Sequence, residues 1–238
     1  MIVFSIPYFL APRKLAWIVP RNWGRISNFL HRWIVGTKIE IKGIENIPNE
    51  GVIVASKHQS LWEVYGFLSI FRDPAFILKR ELMWIPLFGW YVAKQRMIPI
   101  NRERRGAALE KMLDRAREEI ANGRQIIIYP EGTRTTPGAD PAYKTGIVRL
   151  YRELNCPVVP VALNSGLYWP RRQFMRYPGI MRSQILEPIP PGLDDEAFFA
   201  LLQERIEGAC NKLYQKAASD PNPPPMSDQL LAKLKQMS

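Results

Sequence analysis

Cysteine and histidine are both scarce in this sequence, with two residues of each in 238 positions. Cys156 and Cys210 form no metal-ligand spacing, and the single bridge they could make is not a disulfide framework. Neither cysteine stands in a context that indicates a nucleophile. The chain is therefore not expected to hold a metal, and a reducing compartment is favoured over secretion as a disulfide-stapled protein.

Long apolar runs are lacking: the first one is too short for a spanning helix, which takes roughly 20 residues, unless residues 15–20 extend it past two cations. Residues 1–12 carry no charge, but Arg13 and Lys14 follow at once. No basic region precedes this run and no A-x-A site follows it, so a cleaved signal peptide is not expected. Beyond it, tryptophans alternate with cations: Trp17, Trp23 and Trp33 with Arg13, Lys14, Arg21, Arg25 and Arg32. This pattern predicts that residues 1–36 lie in the headgroup layer of a membrane; a helix packed on the domain is the alternative.

Acidic residues are outnumbered, 22 against 33 lysines and arginines, so the net charge is +11. Such a balance attracts nucleic acid, anionic lipid or a phosphorylated substrate, although a merely solvated surface would look the same. The composition is 47% hydrophobic and 23% charged, which argues against disorder. The length suits one substantial domain.

Apolar strands alternate with helical patterns along the chain, which predicts an α/β fold: a mixed, largely parallel sheet flanked by helices. Strands are expected at residues 37–43, 52–56, 75–79, 97–100, 125–130, 157–163 and 182–187, and helices at 61–71, 103–123, 146–154 and 194–216. Pro160 suggests that its strand lies at an edge or ends there. The α/β domain would span residues 37–218, and residues 219–238 would form a proline-rich break and a short tail.

His58 comes just after the apolar run VIVAS (52–56), at a strand end, where open α/β sheets usually place ligands. Its imidazole is suited to general base catalysis, and Glu63 could hold the proton of one ring nitrogen. The same residues also support a competing, structural interpretation. In "SLWE", Ser60 and Glu63 form a capping box at the start of a helix. Spacing alone leaves both interpretations open.

Other strand ends carry groups that suit an anion. The stretch "YPEGTRT" (129–135) combines Glu131, Gly132, Thr133 and Arg134 directly after an apolar strand. Glycine allows close backbone approach, and arginine binds phosphate bidentately. Arginines in "INRERR" (100–105), among them Arg102, stand at a predicted helix start, and Lys79 ends another strand. Together these groups predict a phosphate site near His58.

These motifs resemble the blocks of the 1-acyl-sn-glycerol-3-phosphate acyltransferase family, in its usual order. "HQSLWE" resembles the first block, usually H-x4-D, and "IPINR", "PEGTR" and "VPVAL" resemble the other three; the likeness covers residues 37–190. The sequence departs from the pattern at Glu63, where most members carry Asp, and at Asn101, where Asp is frequent. Glutamate keeps the carboxylate but adds a methylene, so the geometry with His58 must shift slightly.

The resemblance implies direct acyl transfer without a covalent intermediate. His58 would take the proton of the sn-2 hydroxyl of lysophosphatidic acid, and Glu63 would fix the imidazole tautomer. Lys79, Arg102 and Arg134 would hold the phosphate, while Glu131 would organise the loop that contains Gly132 and Thr133. Acyl-CoA or acyl-ACP would be the co-substrate, and no cofactor or metal is implied.

The expected partner surface is an anionic membrane, and the expected location is the cytoplasmic face of the inner membrane, peripheral or shallowly anchored. Two alternatives remain open: acylation of another lysophospholipid or an aminoacylated lipid, and a non-catalytic lipid-binding protein on the same scaffold. A nucleic-acid binder would explain the charge but not its concentration at strand ends beside a histidine.

Overall fold

A seven-stranded sheet forms the centre of the computed structural model, which describes residues 7–101 and 106–237. The strands are β1 (Thr37–Lys42), β2 (Val52–Ser56), β3 (Pro74–Lys79), β4 (Ile98–Ile100), β5 (Gln125–Ile128), β6 (Val158–Leu163) and β7 (Gly179–Ile185). Their order across the sheet is β1-β7-β6-β2-β5-β3-β4. Each predicted strand is present, with the last beginning earlier than expected, at Gly179.

Five of the six strand pairings in this sheet are parallel, and β6 with β7 is antiparallel. In the centre, Val54 of β2 lies opposite Ile127 of β5 on one side and Val159 of β6 on the other. These strands are apolar runs because both faces of a parallel sheet are covered. The prediction of a mixed, largely parallel sheet flanked by helices is confirmed.

The flanking helices are α1 (Arg13–Ala16), α2 (Ile18–Leu30), α3 (Trp62–Ile70), α4 (Phe88–Lys94), α5 (Ala107–Ala121), α6 (Gly146–Leu154), α7 (Ser165–Tyr168), α8 (Asp195–Ala218) and α9 (Asp228–Gln236). The long helix α8 begins at a proper cap, because the Asp194 side chain accepts a hydrogen bond from the Ala197 amide. Its apolar stripe, including Phe198, Leu202 and Ile206, is fully buried. This stripe packs against β6 and closes one face of the sheet.

The expectation that Pro160 marks an edge or an end of its strand is wrong. β6 lies inside the sheet, between β7 and β2. Proline is tolerated there because the antiparallel ladder with β7 begins only at Val161, after an isolated bridge between Val158 and Ile189. Pro160 falls between the two, where it accepts a hydrogen bond from the Leu186 amide and needs to donate none.

Some side chains of the N-terminal segment pack on the α/β domain and others are exposed. The prediction that residues 1–36 lie in the headgroup layer does not hold for Trp17 and Arg13. Both side chains donate hydrogen bonds to Asp73 at 2.6–2.7 Å, and the Trp17 ring is buried. Helix α2 then crosses α3 closely, since a Cβ on Gly24 would lie 2.6 Å from the Tyr65 carbonyl oxygen. Within residues 7–101 and 106–237, no helix is both long and apolar enough to cross a membrane.

The C-terminal tail packs back onto the domain after its proline-rich break. Ser227 caps α9 by accepting a hydrogen bond from the Leu230 amide. Leu230 and Leu234 are buried, and the Leu230 side chain lies against Gly138, close enough that a Cβ on this glycine would touch it at 3.0–3.1 Å. The tail therefore supports the loop that follows β5.

Candidate active site

The polar groups singled out from the sequence gather at one edge of the sheet. His58 follows β2, residues 129–135 follow β5, and Lys79 ends β3. β2, β5 and β3 are adjacent and parallel, so their carboxyl ends meet at the same edge. β4, the next strand along, ends at Ile100. Arg102, which the sequence assigned to the phosphate site, lies outside the described residues.

His58 and Glu63 are in direct contact, with Nδ1 3.1 Å from the carboxylate oxygen Oε2. A carboxylate only accepts hydrogen bonds, so this contact fixes the proton on Nδ1 and leaves Nε2 of the neutral ring as a base. The Glu63 side chain is fully buried, whereas the His58 side chain is 15% exposed. The basic nitrogen therefore belongs to a ring that a substrate can reach.

The same carboxylate also makes the contacts of a capping box. The Ser60 amide donates to both Glu63 oxygens at 3.0 and 3.1 Å, and the Ser60 hydroxyl accepts from the Trp62 amide at 2.9 Å. The regular helix α3 begins at Trp62, one residue later than predicted. Both interpretations of "SLWE" are thus present in one geometry, because Glu63 has two oxygens.

Ser165 completes the environment of this carboxylate. It opens α7 directly after β6, and its hydroxyl donates to Glu63 Oε1. The neighbouring Gly166 amide donates to the Gln59 side chain at 3.0 Å, which joins the segment after β6 to the segment after β2. Sequence reasoning missed Ser165, although its place at a strand end was a usable signal. With Ser60 and Ser165 as donors, the Glu63 carboxylate cannot rotate freely.

Tyr129 stacks on the His58 imidazole, with ring centroids 3.9 Å apart and planes inclined by 15°. Its hydroxyl is buried and has no hydrogen-bond partner among the residues that the structure describes. Burial, and secondarily the charge of Glu63, raise the pKa of Tyr129 well above its usual range, so the hydroxyl keeps its proton. The tyrosine therefore restrains the imidazole from one face while Glu63 holds it at Nδ1.

The loop after β5 is tied to the His58 main chain by Glu131 and Thr135. Glu131 Oε2 accepts the His58 amide at 3.1 Å, and Glu131 Oε1 accepts the Thr135 hydroxyl at 2.7 Å. The Thr135 amide donates back to the His58 carbonyl at 2.8 Å. Between them Gly132 has a φ of 67°, a left-handed conformation that favours glycine. The structure thus brings Glu131 next to His58.

Among the described residues at this edge, Arg134 and Lys79 have no carboxylate partner. Neither the Arg134 guanidinium nor the Lys79 ammonium makes a hydrogen bond or ion pair with any residue in the described ranges. Only the Arg134 carbonyl is engaged, by the Arg171 guanidinium at 2.7 Å. Thr133 is exposed on the same turn. Uncompensated cations at the mouth of a site favour an anionic ligand.

Neither cysteine lies in this site as a reactive thiol. Both are buried, and burial raises the pKa of Cys156 to about 11 and that of Cys210 to about 12. A thiol with so high a pKa is a poor nucleophile at neutral pH. No cluster of three metal-ligating side chains occurs in the part of the chain that the structure describes.

Comparison with known proteins decides the family. The family model Acyltransferase matches residues 38–164. The 1-acyl-sn-glycerol-3-phosphate acyltransferase of Pseudomonas aeruginosa is 37% identical over 183 residues, which cover 75% of this chain and 71% of the relative. This chain belongs to the acyltransferase family. It is an enzyme of the 1-acylglycerol-3-phosphate O-acyltransferase type.

Two further matches agree with this assignment. A 1-acyl-sn-glycerol-3-phosphate acyltransferase of Cocos nucifera is 28% identical over 70% of this chain, which spans about half (54%) of that relative. The crystal structure of the 1-acyl-sn-glycerophosphate (LPA) acyltransferase PlsC from Thermotoga maritima superposes with a TM-score of 0.73 at 25% identity. That superposition covers 87% of this chain and 85% of the other.

Proposed function

We propose that this acyltransferase moves a fatty acyl group from an acyl thioester, carried by CoA or acyl carrier protein, to the sn-2 hydroxyl of 1-acyl-sn-glycerol-3-phosphate, yielding phosphatidic acid. The observation that carries the proposal is the His58–Glu63 contact at the same sheet edge as the uncompensated cations of Arg134 and Lys79. A base and an anion site together suit an acceptor that carries both a hydroxyl and a phosphate.

In the reaction, His58 Nε2 takes the proton of the sn-2 hydroxyl as its oxygen attacks the thioester carbonyl carbon. The carbon–sulfur bond then breaks, and the leaving thiolate takes up the proton from the imidazolium. Glu63 holds the Nδ1 proton and stabilises the positive imidazolium that forms in between. The thioester is a co-substrate, and the chain's own residues supply the base and the orienting contacts.

The phosphate of the acceptor is bound by cations on neighbouring strand ends. Arg134 lies three residues after Glu131, whose carboxylate accepts a hydrogen bond from the His58 amide. Lys79 ends β3, two strands away from β2, about 10 Å at the usual strand spacing. Arg102 is assigned to the same phosphate on sequence alone.

A crossed assay tests this function. Purified enzyme is given each of several acceptors (lysophosphatidic acid, other lysophospholipids and an aminoacylated lipid) with acyl-CoA and with acyl-ACP, while phosphatidic acid or the corresponding product is measured. The proposal expects lysophosphatidic acid to give the highest kcat/KM. A preference for an acceptor without a terminal phosphate would contradict it and would favour the alternative lysophospholipid or aminoacylated-lipid activity.

The second part of the proposal is peripheral binding to the cytoplasmic face of the inner membrane. Its support is a set of exposed apolar side chains close to arginines: Trp23, Phe29, Trp33 and Ile34 near α2, Trp84 and Trp90 around α4, and Phe174 and Met175 beside Arg172 and Arg176. Exposed aromatic rings flanked by cations suit an anionic headgroup layer. The basic net charge adds long-range attraction to such a surface.

Flotation with vesicles tests membrane binding. The enzyme should float with vesicles that contain anionic phospholipid and float less with purely zwitterionic vesicles or at high salt. Trp33→Ser should weaken flotation, while Trp17→Phe, which changes a ring buried against Asp73, should not. Equal flotation of the wild-type enzyme and Trp33→Ser would contradict the assignment of this surface.

A further inference from the structure

A buried ion cluster lies behind the candidate active site, on the side away from the solvent. Lys57 precedes His58, is 2% exposed, and places its Nζ 2.7 Å from Glu131 Oε1 and 2.7 Å from Glu207 Oε1. The Tyr143 hydroxyl donates to the same Glu207 oxygen at 2.9 Å, and its ring lies 5.8 Å from the ammonium. Glu207 belongs to α8, outside the residues 38–164 matched by the family model.

The lysine remains an ammonium in this position. Burial acts to lower the pKa of Lys57, but the charges of Glu131 and Glu207 outweigh it and raise the pKa above its ordinary value. Lys57 is therefore neither a base nor a nucleophile at neutral pH. It supplies a fixed positive charge to two carboxylates.

Glu131 needs that charge because its two oxygens already serve the active site. One accepts the His58 amide and the other accepts the Thr135 hydroxyl, and the side chain is almost fully buried. A buried carboxylate without a cation favours its protonated form, which is a weaker hydrogen-bond acceptor. Lys57 supplies that cation, with its Nζ 2.7 Å from Glu131 Oε1.

We propose that Lys57 and Glu207 are positioning residues for the acyl transfer, which hold the Glu131 carboxylate in place so that His58 and the Arg134 loop keep their relative geometry. The inference rests on the proposed function. The connection runs from α8 through Glu207 to Lys57, from Lys57 to Glu131, and from Glu131 to the His58 amide. Neither residue touches the reacting atoms.

The charged and titratable groups that face Glu131 define what a pH profile would report. They are Lys57 and His58 after β2, Tyr143 before α6, and Glu207, Cys210 and Tyr214 on α8. Burial raises the pKa of Cys210, Tyr143 and Tyr214, so these three stay neutral near pH 7. Lys57 is the one permanent cation of this set. Its removal shifts the balance of Glu131 towards protonation.

The test compares Lys57→Met with the wild-type enzyme, using acyl-CoA and lysophosphatidic acid between pH 6 and 9. At pH 7 kcat should fall about tenfold or more, the effect of weakening one charge-assisted hydrogen bond that orients the base. Because Glu131 must ionise without help, the acidic limb of the kcat profile should move to higher pH. The ratio of variant to wild-type kcat should therefore rise as the pH rises.

The matched control is Arg182→Met, which removes another buried cation from its carboxylate. Arg182 lies on β7 and forms an ion pair with Asp220 at 2.7 Å. It makes no hydrogen bond or ion pair with the His58 or Glu131 side chains. This variant should lose stability but keep both kcat and the wild-type pH profile. If Lys57→Met and Arg182→Met lose stability alike and neither changes the profile, Lys57 is structural and the proposal fails.

The double variant Lys57→Met/Glu207→Met covers the case in which the single variant does not fold. Apolar replacement of both partners of a buried pair is often tolerated, and it leaves Glu131 without its cation. The same kcat loss and pH shift are expected. A folded double variant with wild-type kcat and an unchanged profile would overturn the proposal. A wild-type enzyme without activity on lysophosphatidic acid would instead overturn the proposed function.

Discussion

Replacing Glu63 by glutamine separates the two functions of this carboxylate. Glutamine keeps one acceptor oxygen, so it can still accept the Ser60 amide of the capping box. It loses the charge beside His58 and presents an amide where Nδ1 needs an acceptor, which favours the wrong tautomer. The change therefore removes the orientation of the base while most of the cap remains.

Two effects set the scale of the expected loss of kcat. Removing one charge-assisted hydrogen bond costs about 1.5–3 kcal/mol, or roughly 10- to 150-fold in rate. Losing general base catalysis altogether costs about 10²- to 10⁴-fold. We expect the larger loss for Glu63→Gln, about 10²- to 10⁴-fold in kcat, because the Glu63 side chain that holds Nδ1 is fully buried.

The assay measures thiol release and phosphatidic acid formation, and thermal unfolding is followed on the same samples. Ser60→Ala is the matched control: it removes the hydroxyl that caps the Trp62 amide and donates to Glu63 Oε1 at 3.2 Å, but it keeps the Ser60 amide and His58 on that carboxylate. It should cost about 1 kcal/mol of stability, with a much smaller loss of kcat than Glu63→Gln. Full activity in Glu63→Gln would refute the pairing and leave Glu63 a structural cap.

Three further predictions concern residues around the site and the N-terminal contact. Arg134→Ala should raise the acceptor KM with little change in the donor KM, whereas Arg152→Ala, in a surface pair with Asp195, should change neither; an unchanged acceptor KM in Arg134→Ala would count against phosphate binding. Ser165→Ala removes one donor to Glu63 and should lower kcat by about tenfold; an equal effect on unfolding alone would show that the serine only packs. The contacts with Arg13 and Arg124 hold the pKa of Asp73 below its ordinary 3.8 despite burial, so the ionised carboxylate stabilises the fold above that pH and this stability is lost as the pH falls further. Asp73→Asn should therefore cost about 2 kcal/mol of unfolding free energy at pH 7 and flatten the acid limb of a stability profile. Equal acid sensitivity of the wild-type and variant proteins would refute this.

The sequence predicted the fold well where patterns are local. Apolar runs located β2, β5 and β6, and helical spacing located α6 at the residues where it occurs. Pro160 misled because its position inside the sheet depends on an interrupted ladder with β7, a feature of distant pairing. The Trp17 and Arg13 prediction failed for a similar reason, since Asp73 lies far along the chain.

In the candidate site, too, some residues could be predicted from local sequence and others could not. His58, Glu131 and Arg134 could be singled out because each follows a strand whose carboxyl end reaches a common edge. Glu207 and Tyr129 could not, because nothing in their local sequence indicates contact with Lys57 or with the His58 ring. Such partners follow from how α8 packs on β6 and how β5 neighbours β2, which only the folded chain reveals.

The most direct test of the proposed mechanism is the rate of phosphatidic acid formation by His58→Ala, with His31→Ala as the control. His31, the other histidine, stacks on Trp169 with ring centroids 5.0 Å apart, and it is His58 that contacts Glu63. Loss of the general base should lower kcat by about 10²- to 10⁴-fold in a folded His58→Ala enzyme, and His31→Ala should keep its kcat. A folded His58→Ala enzyme that turns over at the wild-type rate would contradict the assignment of His58 as the base.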